Sequence, residues 1–214
     1  MHLNILSQQQ HELLPLLRRF KRSFYLVGGT AIAFHIGHRR SIDFDLFTHA
    51  PLSKSRIRKT LREWPHSVKI IHEDIDQLHF ICNHVKLTFF HYPYDIQHKQ
   101  KAGDFTTIPD LLSLGAMKAF ALGRRAKWKD YVDLYFMIQQ YYAISQISEK
   151  ATQIFGDQFS EKLFREQLCF HADIDYTETV DYIGEPIPDD TIRAGLIKMA
   201  THIFDAPLQG ANGL

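Results

Sequence analysis

Short apolar runs with a period of two fill the first half of this chain, and from Pro109 onward a period near 3.6 replaces them. Alternation predicts strands over residues 24–27, 42–47, 68–72, 78–82 and 85–91, the last two joined by a turn at Asn83-His84. Helical spacing predicts an amphipathic segment over 7–19, built on Leu13, Leu14, Leu16 and Leu17 and interrupted by Pro15. Helices are also expected over 30–36 and 53–64, where Ser53 is a favourable N-cap. The later half reads as helices over 109–122, 127–142, 148–155, 160–170 and 191–204, with an acidic loop across 173–190. Strands first and helices afterwards indicate an α+β protein: a small mixed sheet with a C-terminal helical part. The division expected is a core over 1–106 and a helical part over 107–214.

Composition narrows the class. With 214 residues, 45% of them hydrophobic, the chain buries a sizeable core and is not disordered. Its 25 Lys and Arg against 24 Asp and Glu leave a formal net charge of +1, so whole-molecule charge gives no reason to invoke nucleic acid. The 13 histidines are scattered without zinc-ligand spacing. Cys82 and Cys169 are read as free thiols, which suits a reducing compartment. Residues 1–7 lack a signal-peptide pattern, and no uncharged window reaches bilayer length. A soluble cytoplasmic protein without a membrane partner is expected.

Chemistry concentrates between residues 24 and 48, where an apolar strand breaks at Gly28-Gly29-Thr30 and two acids, Asp43 and Asp45, follow. On an extended strand, residues i and i+2 share a face, so both carboxylates project together while Ile42, Phe44 and Leu46 point the other way. Paired carboxylates repel unless a cation neutralises them, and hard oxygen donors suit Mg2+ or Mn2+ completed by phosphate oxygens. Glycines let backbone N–H groups approach a phosphate, and a helix starting at Thr30 aims its positive end at that anion. Two other readings stay open. The acids could cap a strand end and pair with Arg39 and Arg40, and any tight strand-to-helix turn uses glycine.

A second set lies among the helices. Lys118 stands alone in LGAMKAFAL, where an ammonium needs a carboxylate or a ligand phosphate unless it snorkels out to water. In RRAKWKDYVD, Lys129, Asp130 and Asp133 fall within one helical arc, opposite Tyr131, Leu134, Tyr135 and Ile138. Taken alone, that arc reads as a solvated face laced by charge pairs. Its occurrence together with the strand acids and Lys118 favours a functional cluster.

In order, these segments are GGT, then RRSIDFDLF, then a lysine in an apolar helix, then RRAKWKDYVDL. They resemble the nucleotidyltransferase family of the AbiEii/AbiGii toxins, within the DNA polymerase β-like superfamily, over residues 24–138. The resemblance implies a small mixed sheet nucleotidyltransferase core that moves a nucleoside monophosphate from an NTP to a hydroxyl with Mg2+ or Mn2+. It implies an RNA such as a tRNA 3′ end, or a protein, as acceptor, and a cognate antitoxin as partner. By position it makes Asp43 and Asp45 metal ligands, and Asp43, Asp45, Lys118 and Asp130 catalytic. It makes Gly28, Gly29, Thr30, Arg40, Lys129 and Asp133 nucleotide-binding. The chain departs from the pattern in Thr30 for serine, in the longer gap from Thr30 to Asp43, and in Thr88 where a third carboxylate is expected. Asp74, Asp76 or Asp95 could stand in for that acid. Without one, a nucleotide-binding regulator that has lost turnover is the alternative, and a helical interaction module is a third reading.

Overall fold

The computed structural model describes residues 1–202. These form two compact units, Met1–Asp110 and a second beginning at Leu111. The first opens with α1 (Gln8–Phe20), which continues past Pro15. Ser7 Oγ accepts from the Gln10 N–H at 3.2 Å and Gln10 Oε1 accepts from the Ser7 N–H at 3.0 Å, a capping box that starts the helix. Proline inside a helix costs about 3 kcal/mol. Burial of Leu13, Leu16, Leu17 and Phe20 outweighs it, at about 1.5–3 kcal/mol for each side chain.

There follow β1 (Tyr25–Val27), α2 (Gly28–Ile36), β2 (Phe44–Thr48), α3 (Lys54–Arg62), β3 (Val68–Glu73), β4 (Gln77–Cys82) and β5 (Val85–His91). The sheet order is β1-β2-β5-β4-β3, with β2 and β5 parallel and the other neighbours antiparallel. Asn83 and His84 both take positive φ, 50° and 63°, in the two-residue turn between β4 and β5. One face of the sheet carries Phe44, Leu46, Leu78, Phe80, Leu87 and Phe89, all at most 2% exposed. Phe20 of α1 meets Phe89 with ring centroids 4.8 Å apart, so α1 covers this face. A short hairpin, β6 (Gln100–Ala102) and β7 (Thr106–Ile108), was not legible as strands and lies with β7 beside β1.

Two boundaries depart from the sequence reading in ways that matter. α2 begins at Gly28, two residues before Thr30. β2 begins at Phe44, so Asp43 precedes the strand and Ile42, expected on the apolar face, is 60% exposed. Side chains capture the backbone here before the ladder can. Gln10 Nε2 donates to the Ser41 carbonyl at 2.8 Å, and the Thr30 hydroxyl donates to the Asp43 carbonyl.

The second unit contains α4 (Leu111–Leu122), α5 (Trp128–Gln140), α6 (Ile144–Phe155), α7 (Glu161–Cys169) and α8 (Asp189–Thr201). α6 starts four residues before the expected 148, because Gln146 Oε1 accepts from the Ala143 N–H and Ile144 and Ile147 are buried. For the last helix, expected over 191–204, Ile203 and Phe204 lie outside the described residues. Its core gathers Tyr131, Leu134, Ile147, Leu168, Ile192 and Leu196. No helix among the described residues is long and apolar enough to cross a membrane.

Candidate active site

The strand-to-helix bend in the first unit is tightly built. Gly28 has φ +71°, and a methyl group added there would lie 2.3 Å from Asp45 Oδ2. Asp45 therefore directs its carboxylate onto the bend, across the β1–β2 ladder in which it pairs with Val27. Gly29 is equally confined: a methyl there would lie 2.5 Å from Arg39 Nη2 and 3.1 Å from Ser41 Oγ. Val27, the N-cap residue of α2, makes no side-chain cap. The first two residues of α2 thus lie against a carboxylate at Gly28 and a guanidinium at Gly29.

Thr30, named for nucleotide binding, lies in the first turn of α2. It is 1% exposed, and its hydroxyl ties α2 to the backbone at Asp43. Asp43 and Asp45 are both half-buried, one immediately before β2 and one within it. Arg39 is the residue the sequence reading undervalued. It is 2% exposed, lies against Gly29 and donates from Nη1 to the Arg40 carbonyl at 3.0 Å, whereas Arg40, named for nucleotide binding, is exposed. Adjacent arginines in RRS carry no signal that separates them. Asp43, Arg39 and Arg40 all engage polar or charged neighbours.

Across the sheet, Asp45 of β2 stands opposite Thr88 of β5, Thr88 opposite His79 of β4, and His79 opposite His72 of β3. The position beside Asp45 where a third acid was expected is thus a threonine. Asp74 and Asp76 belong to the turn between β3 and β4, where Asp76 Oδ1 meets His91 Nδ1 at 3.0 Å, and Asp95 is exposed after β5. Burial, then Lys86 and His72, hold the His79 imidazole below its ordinary pKa against the pull of Asp45.

In the second unit Lys118 has found carboxylates. Its ammonium lies 2.7 Å from Asp130 Oδ1 and 3.0 Å from Asp133 Oδ2, and Arg125 Nε adds a 2.9 Å contact to Asp130 Oδ2. Lys118 is 6% exposed, Asp130 3% and Asp133 0%. The solvated face that charge pairing alone suggested is therefore not what forms, because α5 is buried on the side that bears its acids. Lys129 does not join them. It reaches Glu178 at 3.3 Å, and Lys127 pairs with the other oxygen of the same carboxylate. Burial works to raise the Asp130 pKa, but Lys118 and Arg125 outweigh it and hold the carboxyl below the usual carboxylate value. Arg125 was present in the sequence motif without a role, and the contact supplies one.

Asp43 and Asp45 offer hard oxygen donors, as Mg2+ or Mn2+ require. Among the described residues no group of three or more His, Cys, Asp or Glu side chains is close enough to hold a metal. Such a donor set fits an ion that keeps few protein ligands and takes its remaining oxygens from substrate phosphates and water.

Comparison with known proteins bears on this arrangement. A family model described as "Nucleotidyl transferase AbiEii toxin, Type IV TA system" matches residues 16–205. An uncharacterised protein of Aquifex aeolicus is 33% identical over 122 residues, 55% of this chain and 59% of that protein. The match thus spans little more than half the length of that curated relative. Among solved structures, MenT4, a nucleotidyltransferase toxin from Mycobacterium tuberculosis, superposes with a TM-score of 0.62 at 13% identity, covering 90% of this chain and 82% of its own. JHP933 from Helicobacter pylori gives 0.52 at 16% identity, covering 91% of each chain. At these identities the two likenesses speak for the fold.

Proposed function

Because this chain belongs to the AbiEii nucleotidyl transferase toxin family of type IV toxin–antitoxin systems, we propose that it is a metal-dependent enzyme that moves a nucleoside monophosphate from an NTP to a hydroxyl of RNA or protein. The observation that carries the reading is the Asp45 carboxylate turned onto Gly28 at the start of α2. An NTP phosphate would accept from the first N–H groups of α2, where the helix dipole and the Arg39 guanidinium favour an anion. Asp43 and Asp45 would hold a divalent cation, which supplies charge neutralisation for the triphosphate and lowers the acceptor hydroxyl's pKa. Thr30 and Gln10 act one step back, fixing the backbone at Asp43 and Ser41 so that the acids keep their aim. By correspondence with the family, Lys118, Lys129, Asp130 and Asp133 are assigned to nucleotide binding and catalysis. The Lys118 side chain is held between the Asp130 and Asp133 carboxylates. A cognate antitoxin and a cytoplasmic location belong to the same reading.

The test is incubation with each α-labelled NTP, Mg2+ or Mn2+, and total bacterial RNA. Label is expected in RNA or in a protein and should vanish with Asp45→Asn. If no NTP yields labelled product, or if Asp45→Asn transfers as well as the unaltered chain, the proposal fails. NTP binding without any transfer would instead support the regulator.

A further inference from the structure

The chain's net charge is near zero, but its cations are not evenly spread. α3 reads KSRIRKTLR, five basic residues in nine with no acid. Lys54 and Arg58 are engaged by Glu73. Arg56, Lys59 and Arg62 are exposed and recur every three residues, so they form a stripe along one side of the helix. At the end of that stripe is a cleft of about 310 Å³ whose lining includes Arg58, Arg62, Trp64 and His66. Trp64 carries the Arg19 guanidinium 5.5 Å from its ring centre.

Two donors at this cleft are left over. Arg58 Nε and Trp64 Nε1 are both buried, and neither has an acceptor among the described residues. Guanidinium and indole nitrogens can only donate, so what satisfies them must bring oxygen or nitrogen lone pairs. Buried donors without acceptors cost about 1–3 kcal/mol each, which an incoming acceptor recovers. A row of exposed cations leading to a flat aromatic with waiting donors matches a strand that offers phosphates at regular intervals and a base with a π-face. We infer that the cleft between α3 and Trp64 docks a single-stranded segment of RNA, with phosphates on Arg56, Lys59 and Arg62, a base against Trp64, and acceptors on Arg58 Nε and Trp64 Nε1. The choice of RNA rests on the proposed transfer to an RNA hydroxyl. The surface itself rests on charge and on the two orphaned donors.

The experiment is fluorescence anisotropy of a short 5′-labelled single-stranded RNA with the full chain carrying Asp45→Asn, so that the probe is not consumed, across a salt series. Replacing Arg56, Lys59 and Arg62 together by Gln is expected to weaken binding at least about 10-fold at low salt and to flatten the log–log salt slope by about two, at roughly 0.7 per phosphate contact. Trp64→Leu should weaken binding about 10-fold, and Trp64→Phe, which keeps a ring while removing the N–H, by less. Unchanged affinity and slope in the triple variant overturn the inference. So does poly-glutamate displacing the RNA as well as unlabelled RNA does, which would assign the surface to an acidic peptide. Failure here is separable from failure of the proposed reaction. Nucleotide transfer that proceeds undiminished in the triple variant removes the docking site alone, whereas RNA binding that obeys these rules without any transfer by the unaltered chain removes the reaction alone.

Discussion

Gly28 and Asp45 share a space that admits only one side chain: a methyl at Gly28 would lie 2.3 Å from Asp45 Oδ2, on a backbone already at φ +71°. Both restrictions act on Gly28→Ala. The positive φ costs about 1–2 kcal/mol for a residue with a Cβ, and the carboxylate must move as well. Transfer is therefore expected to fall about 100-fold or more, the scale of an ångström-sized displacement of a reacting group. The melting temperature should drop by only a few degrees. Steady-state transfer and thermal unfolding on the same preparation check this, and full activity in the alanine variant would refute it.

The cluster of Lys118, Asp130 and Asp133 separates stability from chemistry. Lys118→Met leaves two buried carboxylates without their ammonium, and breaking a buried pair in this way costs about 3–5 kcal/mol. At about 2–4 °C per kcal/mol, the unfolding midpoint should fall by roughly 10 °C. Lys118→Met combined with Asp130→Leu and Asp133→Leu removes the buried charges, leaves the half-exposed Arg125 to water, and should recover most of that loss. If transfer stays absent in the refolded triple variant, the cluster serves the reaction. Restored transfer would show it to be a packing device.

Acid should expose the same cluster. Asp130 is held below its ordinary value of 3.8. A depressed carboxyl contributes stability that is complete above the unfolded value and disappears as pH falls through the folded one. The stability difference between the unaltered chain and Asp130→Asn should thus be constant from neutral pH down to about 5 and shrink below about 4. Urea midpoints measured at several pH values report it. A difference that shrinks between pH 7 and pH 5 would contradict the assignment.

Thr88→Asp places a carboxylate opposite Asp45 in the ladder. Without metal it adds a charge at a site 8% exposed and should lower stability. With Mn2+ the variant should regain stability, and its ion affinity by calorimetry should rise about 10-fold over the unaltered chain, since another oxygen joins Asp43 and Asp45. Equal Mn2+ affinity in both chains would count against an ion beside Asp45.

The sequence carried the strand, turn, helix and strand that bring Gly28 near Asp45, because alternating burial and two glycines are strong local signals. It did not carry where β2 begins, since that depends on Gln10 and Thr30 reaching backbone carbonyls 31 and 13 residues away. A helical arc placed Asp130 and Asp133 together but says nothing of which side is covered, and their burial with Lys118 appears only in three dimensions. The β6–β7 hairpin was invisible for a simpler reason. Three residues per strand are too few to show a period.

The one parallel pairing in the five-stranded sheet, β2 with β5, has a consequence for how the molecule matures. α3, β3 and β4 all intervene between its two strands, whereas β4 and β5 meet through a two-residue turn. Closing the long excursion is entropically the harder step and is expected to come late in folding. The opposition of Asp45 and Thr88 would then be among the last arrangements formed. In a refolding time course, transfer activity should lag behind the recovery of helical circular dichroism.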